Sequence, residues 1–273
     1  MNMKGAESFK IGSWLLYACL LIVGLTGCAS KYATPSGSSA EIVTASDEPE
    51  ARKRARIRLE LAVGYFQRGQ TTIALDELKQ SLAADPGYGE AYSMRGLIYM
   101  RLNDFRVAED SFKKALALQP QDPNILHNLG WLVCQEARYP EAQQFFTQAL
   151  SNSQYGERAK TFRAQGLCQM RAGQTAEAEL SLLKSYEFDA GHPMTAYNLS
   201  TLLFQRGDYG RARFYIRRLN NSELANAESL WLGVKVERRL ENQEAMHQLA
   251  DQLLKRFPQS REAIAYQREA FNE

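Results

Sequence analysis

Few residues of this 273-residue chain have the types and spacing that catalysis or metal binding requires. Its three histidines, His127, His192 and His247, are far apart, and none lies in an HExxH pattern, so zinc-protease chemistry is not supported. Ser181 and Lys184 match the Ser-x-x-Lys pattern of penicillin-binding enzymes, but they fall inside a predicted helix and no Lys-Thr-Gly triplet accompanies them. We therefore predict that the chain is not an enzyme and holds neither a metal nor a cofactor.

Cys28 is the residue for which the sequence indicates a covalent modification. Two lysines precede an uncharged, mostly apolar run over residues 11–25, and the run ends in the letters LTGC, with Cys28 last. Fifteen residues of helix reach roughly 22 Å, short of a hydrocarbon core of ~30 Å, so a permanent span is not expected. The ending resembles the lipobox of bacterial lipoproteins. This resemblance implies a signal peptide over residues 1–27 and a lipid, with palmitate among its acyl chains, on Cys28.

The residues after Cys28 bear on location and on the link to the body. In most Gram-negative lipoproteins an Asp directly after the cysteine retains the protein at the inner membrane, and this chain has Ala29 there. The same resemblance therefore implies lipid anchoring at the periplasmic face of the outer membrane. Residues 28–49 contain few large apolar groups, and we predict a flexible tether with a reach of about 25 Å.

The overall charge and the mean hydropathy argue against two classes of protein. Lys and Arg number 33 against 31 Asp and Glu, a net charge of +2, which does not favour nucleic-acid binding. The mean hydropathy of −0.41 excludes a polytopic membrane protein.

From about residue 50 to the C-terminus the chain repeats one pattern. Small residues recur early in each unit, at Ala62, Gly96, Gly130, Gly166, Ser200 and Gly233, and again at Ala74, Ala108, Ala142, Ala178, Ala212 and Ala245. The second series has intervals of 34, 34, 36, 34 and 33 residues, which predicts six helix pairs. A periodic segment over residues 260–271 predicts a capping helix.

This pattern resembles the tetratricopeptide repeat, in which small residues let the two helices of a unit approach closely. The resemblance implies an all-α, right-handed superhelical solenoid over residues 50–273. The turns inside units are predicted at Gly69, Asn103, Gly173 and Gly207. The large partners of the small residues are predicted to be Tyr65, Leu78, Tyr99, Phe112, Phe146 and Leu182.

The repeat register also predicts a groove for a partner. In tetratricopeptide proteins the second, fifth, ninth, twelfth and thirteenth positions of each unit face a concave groove. In this chain the ninth and twelfth positions of units 1 to 4 and the fifth position of unit 1 are apolar. The apolar residues at these places, which lie on one helical face, are Leu59, Val63, Phe66, Leu97, Met100, Trp131, Leu167 and Met170. They would accept an amphipathic helix or another apolar segment; the alternative is that they only pack on neighbouring helices. Leu59 and Val63 stand where the chaperone-binding members carry the Lys and Asn of a carboxylate clamp, which argues against that ligand.

The repeat region has three further features. The basic run Arg52, Lys53, Arg54, Arg56 and Arg58 would contact anionic headgroups or an acidic partner, or would form a solvated helix face. Cys134 and Cys168 lie on first helices of adjacent units and would form a disulfide in the periplasm, or stay as buried thiols. His127 is expected to be a partly exposed polar residue.

Together the lipobox, the tether and six repeats resemble the PilF/PilW lipoproteins of type IV pilus biogenesis, over roughly residues 50–260. The resemblance implies a pilotin, which helps the pilus secretin reach the outer membrane and form its ring. The implied partners are a secretin subunit, the membrane through the lipid, and other pilus (fimbrium) assembly proteins. The alternatives are a BamD-like lipoprotein of β-barrel assembly, whose repeats are longer and less regular, and a periplasmic adaptor for cell-wall enzymes.

Overall fold

The computed structural model describes residues 47–271, and this part of the chain is helical, with no strand. Its thirteen helices form six successive pairs and a short final helix. They are α1 (Glu50–Gln67), α2 (Thr71–Ala84), α3 (Gly89–Arg101), α4 (Phe105–Leu118), α5 (Pro123–Gln135), α6 (Tyr139–Ser151), α7 (Arg158–Arg171), α8 (Thr175–Phe188), α9 (Pro193–Gln205), α10 (Tyr209–Asn220), α11 (Ala227–Arg239), α12 (Gln243–Arg256) and α13 (Arg261–Gln267). We call the members of each pair helix A and helix B of units 1 to 6. This order confirms the predicted all-α solenoid.

Local sequence explains where many of these helices begin. The Asp104 carboxylate accepts a hydrogen bond from the Val107 amide at the start of α4, and Asn226 and Ser229 form a reciprocal capping box at the start of α11. Pro123 occupies the first position of α5, where a missing amide costs nothing. Polar caps and prolines therefore mark where individual helices begin, both inside units and between them.

The turn inside every unit contains one residue with positive φ. Gly69, Gly173 and Gly207 adopt φ values of 74–83°, and Asn103 adopts 59°, which confirms the four predicted turns. The turns of units 3 and 6 place Ala137 at φ 60° and Glu241 at φ 57°. Sequence reasoning missed these two because neither residue type favours the left-handed region.

Small residues on helix A receive large residues from helix B, as predicted. A Cβ added to Gly96 would lie 2.6 Å from the Phe112 ring, and one added to Gly130 would lie 2.8 Å from the Phe146 ring. Both rings are fully buried. In unit 5 the equivalent residue is Ser200, whose hydroxyl donates to the Ala212 carbonyl at 2.8 Å. Close approach of the two helices therefore depends on the small residue.

The C-terminal end of the solenoid is covered by α13. Ser260 caps this helix by accepting from the Ala263 amide, and the chain leaves the helix at Arg268, so the helix is shorter than the predicted 260–271. Ala263 is fully buried, and the Trp231 ring lies 6.3 Å from the Tyr266 ring. The last unit is thereby sealed by a short helix.

Candidate partner groove

The eight predicted groove residues lie on the A helices of units 1 to 4, and all are half-buried. Leu59, Val63 and Phe66 on α1 pack against the buried cluster formed by α1, α2 and α3. Leu97 contacts both this cluster and the next one, which extends over units 2 to 4. One side of these residues therefore rests on the core while another part remains accessible. Packing on neighbouring helices and an apolar lining of the groove are both features of the same side chains.

Arginines of the following unit cover two of the groove aromatics. The guanidinium of Arg101 lies 5.0 Å from the Phe66 ring centroid, and that of Arg171 lies 5.0 Å from the Trp131 ring centroid. Both arginines occupy the thirteenth position of their units and are exposed. The candidate site therefore combines an apolar floor with a cationic rim. Sequence reasoning did not single out these arginines, although their shared register position was a usable signal.

Units 5 and 6 carry a cavity of about 440 Å³ that the sequence did not indicate. Its walls include the aromatic side chains of Tyr197, Phe204, Trp231 and Phe271. The Lys235 ammonium lies 5.5 Å from the Trp231 ring and 5.9 Å from the Phe204 ring, and burial lowers the pKa of Lys235. Tyr197 and Phe204 occupy the fifth and twelfth positions of unit 5, so the groove register was the signal for them.

His127 is not the partly exposed polar residue that the sequence predicted. It is only 6% exposed, and its Nδ1 lies 2.9 Å from the Thr161 hydroxyl oxygen. The same hydroxyl lies 3.0 Å from the Tyr155 hydroxyl. Burial lowers the pKa of His127 to about 3, with a smaller contribution from Lys160 and Arg163. The imidazole is therefore a neutral part of the contact between units 3 and 4.

Cys134 and Cys168 are joined in a disulfide in this structure, with their Cα atoms 5.9 Å apart. Both side chains are buried. The bridge links α5 to α7, the A helices of units 3 and 4, beside the groove residue Trp131. We predict that the exported protein carries this bridge.

Most residues of the basic run on α1 form ion pairs within the chain. Arg52 forms an ion pair with Asp85, Arg56 pairs with Glu48 at 3.0 Å and Glu60 at 2.9 Å, and Arg58 pairs with Glu77 at 2.8 Å. Lys53 is 3.8 Å from Glu50. These pairs favour the interpretation of the run as a solvated helix face.

Three of the sequence predictions lie outside the described residues: the signal peptide, the lipid site at Cys28 and most of the tether. Within residues 47–271 no helix is long and apolar enough to cross a membrane. In the same range no group of three or more His, Cys, Asp or Glu side chains is placed to hold a metal ion.

The fold and the groove define the class of protein. Two tetratricopeptide-repeat family models match residues 59–123 and 111–144, and the structure continues the same helix pairs to Arg256. The chain is a tetratricopeptide-repeat solenoid, a scaffold for protein–protein interaction.

Comparison with known proteins narrows this class. The chain is 29% identical to the type IV pilus assembly protein PilF of Pseudomonas aeruginosa over 250 residues, which is 92% of this chain and 96% of PilF. The solved structure of Pseudomonas aeruginosa PilF superposes with a TM-score of 0.73 at 27% identity, covering 81% of this chain and all of PilF. PilW, described as a widely conserved type IV pilus biogenesis factor, superposes with a TM-score of 0.70 at 28% identity, covering 78% of this chain and 97% of PilW. The chain is a tetratricopeptide-repeat protein that is similar to PilF and PilW over most of its length.

Proposed function

We propose that this chain acts in type IV pilus biogenesis as a pilotin, a lipoprotein that assists the pilus secretin in reaching and assembling in the outer membrane. The observation that carries the proposal is the run of apolar, half-buried side chains along the A helices of four consecutive units. Similarity to PilF over 92% of the chain supports the link to the pilus. The lipobox ending at Cys28 and the following Ala29 support the outer membrane.

In this proposal the groove shields an apolar segment of a secretin subunit. Leu59, Val63 and Leu97 rest on buried clusters, so they present a fixed surface and lose little side-chain entropy on binding. The segment would bury the remaining accessible part of these side chains, and its acidic groups would lie near Arg101 and Arg171. The lipid on Cys28 would hold the pair at the membrane until the secretin subunits join.

We further propose that the protein performs no catalysis. His127, the histidine with the most strongly lowered pKa, is buried between two units. Its side chain is hydrogen-bonded to the Thr161 hydroxyl, which is a structural contact.

Substitutions in the groove test this function. We expect Val63→Asp and Leu97→Asp each to reduce the amount of secretin multimer in outer membranes, since burying an unpaired carboxylate in an apolar contact costs several kcal/mol. A loss of that size abolishes a complex of micromolar affinity. The matched control is Phe214→Asp, which places the same charge at an exposed apolar position on α10.

The measurements are secretin multimers in heat-treated membrane extracts, recovery of secretin with the affinity-purified protein, and helical circular dichroism of each variant. Normal multimers with both groove variants would contradict the groove. Absence of any secretin from the wild-type complex, with β-barrel assembly proteins or cell-wall enzymes in its place, would contradict the pilotin function itself.

A further inference from the structure

The A helices bury the same positions in units 2 to 5. Their third and tenth residues are buried, and most of them share a buried cluster with helix B of the preceding unit. These residues are Ala91, Ile98, Ile125, Leu132, Thr161, Cys168, Thr195 and Leu202. The outer side of helix A is thus the surface on which the preceding repeat packs.

Unit 1 exposes this surface. Ile57, at the third position of α1, is 46% exposed, and Leu61 at the seventh is 42% exposed. The tenth position is Gly64, and a Cβ added there would meet no atom within 4 Å. Ile57, Leu61 and Gly64 are spaced by four and three residues, so they lie on one face of α1. This face has the position and the apolar character of a repeat contact, together with an open slot at the glycine.

The two ends of the solenoid differ in this respect. At the C-terminal end α13 covers unit 6, and Ala263 is fully buried there. Terminal repeats of stable solenoids normally present a polar outer face. Among residues 47–271 no helix covers Ile57 and Leu61, and neither residue is polar.

The charges around the face select the kind of helix that would cover it. Arg54 and Arg68, the residue that caps the C-terminal end of α1, lie on the same face, seven residues to either side of Leu61, and both are exposed. The Arg68 guanidinium lies 4.8 Å from the Tyr65 ring centroid. One acidic residue, Glu50, lies on this face in the first turn, where its carboxylate is 3.8 Å from the Lys53 ammonium. Arg58 at the edge is already paired with Glu77 at 2.8 Å. We propose that the outer face of α1 binds one α-helix of a partner protein. This face is formed by Arg54, Ile57, Leu61, Gly64 and Arg68. The partner helix has an apolar seam bordered by acidic residues, and it packs on α1 as helix B of a preceding repeat would.

A second copy of this chain fits the face less well. Two such faces packed antiparallel about Leu61 would bring Arg54 of one copy next to Arg68 of the other. In parallel they would bring Arg54 next to Arg54. Like charges brought side by side in this way oppose association. The surface lies outside the concave groove, so the inference does not depend on the proposed function.

The test uses the full chain in detergent and two synthetic helical peptides as probes. Both peptides have about 18 residues, five turns of helix, and the same alanine–leucine seam; one seam is bordered by glutamates and the other by lysines. Fluorescence anisotropy of labelled peptides measures binding. We expect the glutamate peptide to bind about tenfold or more tightly than the lysine peptide, and the Ile57→Ser/Leu61→Ser variant to weaken it by about tenfold.

Matched variants keep the outcome interpretable. Phe214→Ser removes an apolar side chain that is 63% exposed on α10 and should leave binding unchanged. Because Ile57 and Leu61 are half exposed, the double variant should retain wild-type helicity. Equal binding of the two peptides, unchanged binding by the double variant, or a dimer in sedimentation that the double variant abolishes would each overturn the proposal.

Discussion

The Nδ1 atom of His127 lies 2.9 Å from the hydroxyl oxygen of Thr161, 34 residues later in the chain. Each residue is on helix A of its unit, so the contact joins unit 3 to unit 4. Burial holds the pKa of His127 at about 3, well below its usual value near 6.5. Burial at this contact therefore favours the neutral imidazole.

This pKa predicts that acid weakens the solenoid. A lowered pKa in the folded state means that the stabilisation is fully present above pH 6.5 and is lost as the pH falls from 6.5 towards 3, because the unfolded chain binds the proton first. The free energy of unfolding of the wild-type protein should fall by about 1 kcal/mol per pH unit in this range. We expect His127→Gln to abolish this part of the pH dependence. Urea unfolding of the wild-type protein and the variant at pH 7 and pH 5 measures this difference. Equal pH dependence of the two proteins would contradict the lowered pKa of His127.

Two glycine substitutions should act in opposite directions. Gly130→Ala places a Cβ 2.8 Å from the buried Phe146 ring, and we expect it to cost about 1–3 kcal/mol as overpacking. Gly64→Ala meets open space on α1 and should add about 0.5–1 kcal/mol by helix propensity. Thermal unfolding of both variants tests the pair, and a stabilising Gly130→Ala would show that the two helices do not need their close approach.

Replacing Ala137 by glycine should stabilise the protein. It adopts φ 60° in the turn of unit 3, a conformation that costs an alanine roughly 1 kcal/mol or more. We expect Ala137→Gly to stabilise the protein by up to about 1 kcal/mol. Ala117, exposed in the last turn of α4, is the control, since Ala117→Gly should destabilise the protein through the lower helix propensity of glycine. Destabilisation by both substitutions would contradict the left-handed turn.

The pair Cys134 and Cys168 should carry a disulfide in the exported protein. Closing this loop would stabilise the chain by roughly 3–4 kcal/mol in the chain-entropy model. Mass spectrometry after alkylation without reductant should find neither cysteine labelled, and the Cys134→Ala/Cys168→Ala variant should unfold at lower urea concentration. Two labelled cysteines in the periplasmic wild-type protein would show that the bridge is absent.

Lipidation at Cys28 is tested by one substitution. We expect Cys28→Ala to remove palmitate labelling and to release the protein from outer membranes, because the resemblance places the lipid on that thiol. Folding of the solenoid should be unchanged. Normal outer-membrane recovery of an unlabelled variant would contradict lipid anchoring.

The helix pairs and their close contacts follow from short-range pattern. A small residue on helix A and a large one on helix B recur at fixed spacing, so Gly96 and Phe112 could be paired from sequence alone. Turn chemistry found Gly69 and Asn103, but it missed Ala137 and Glu241, which adopt a backbone conformation that their types disfavour. Both residues are exposed, and backbone hydrogen bonds close each turn, such as the one from the Arg138 amide to the Val133 carbonyl at 2.9 Å.

Contacts between units were decided only by the tertiary structure. The two extra residues before α7 change its register relative to α5, and sequence could not say whether that shift would align Cys134 with Cys168 or separate them. The same stacking buries His127, places Arg171 over Trp131 and leaves Ile57 exposed. The physical reason is that local pattern determines which face of a helix is apolar, whereas the rotation between neighbouring units, set by the packing of many side chains together, determines what that face meets.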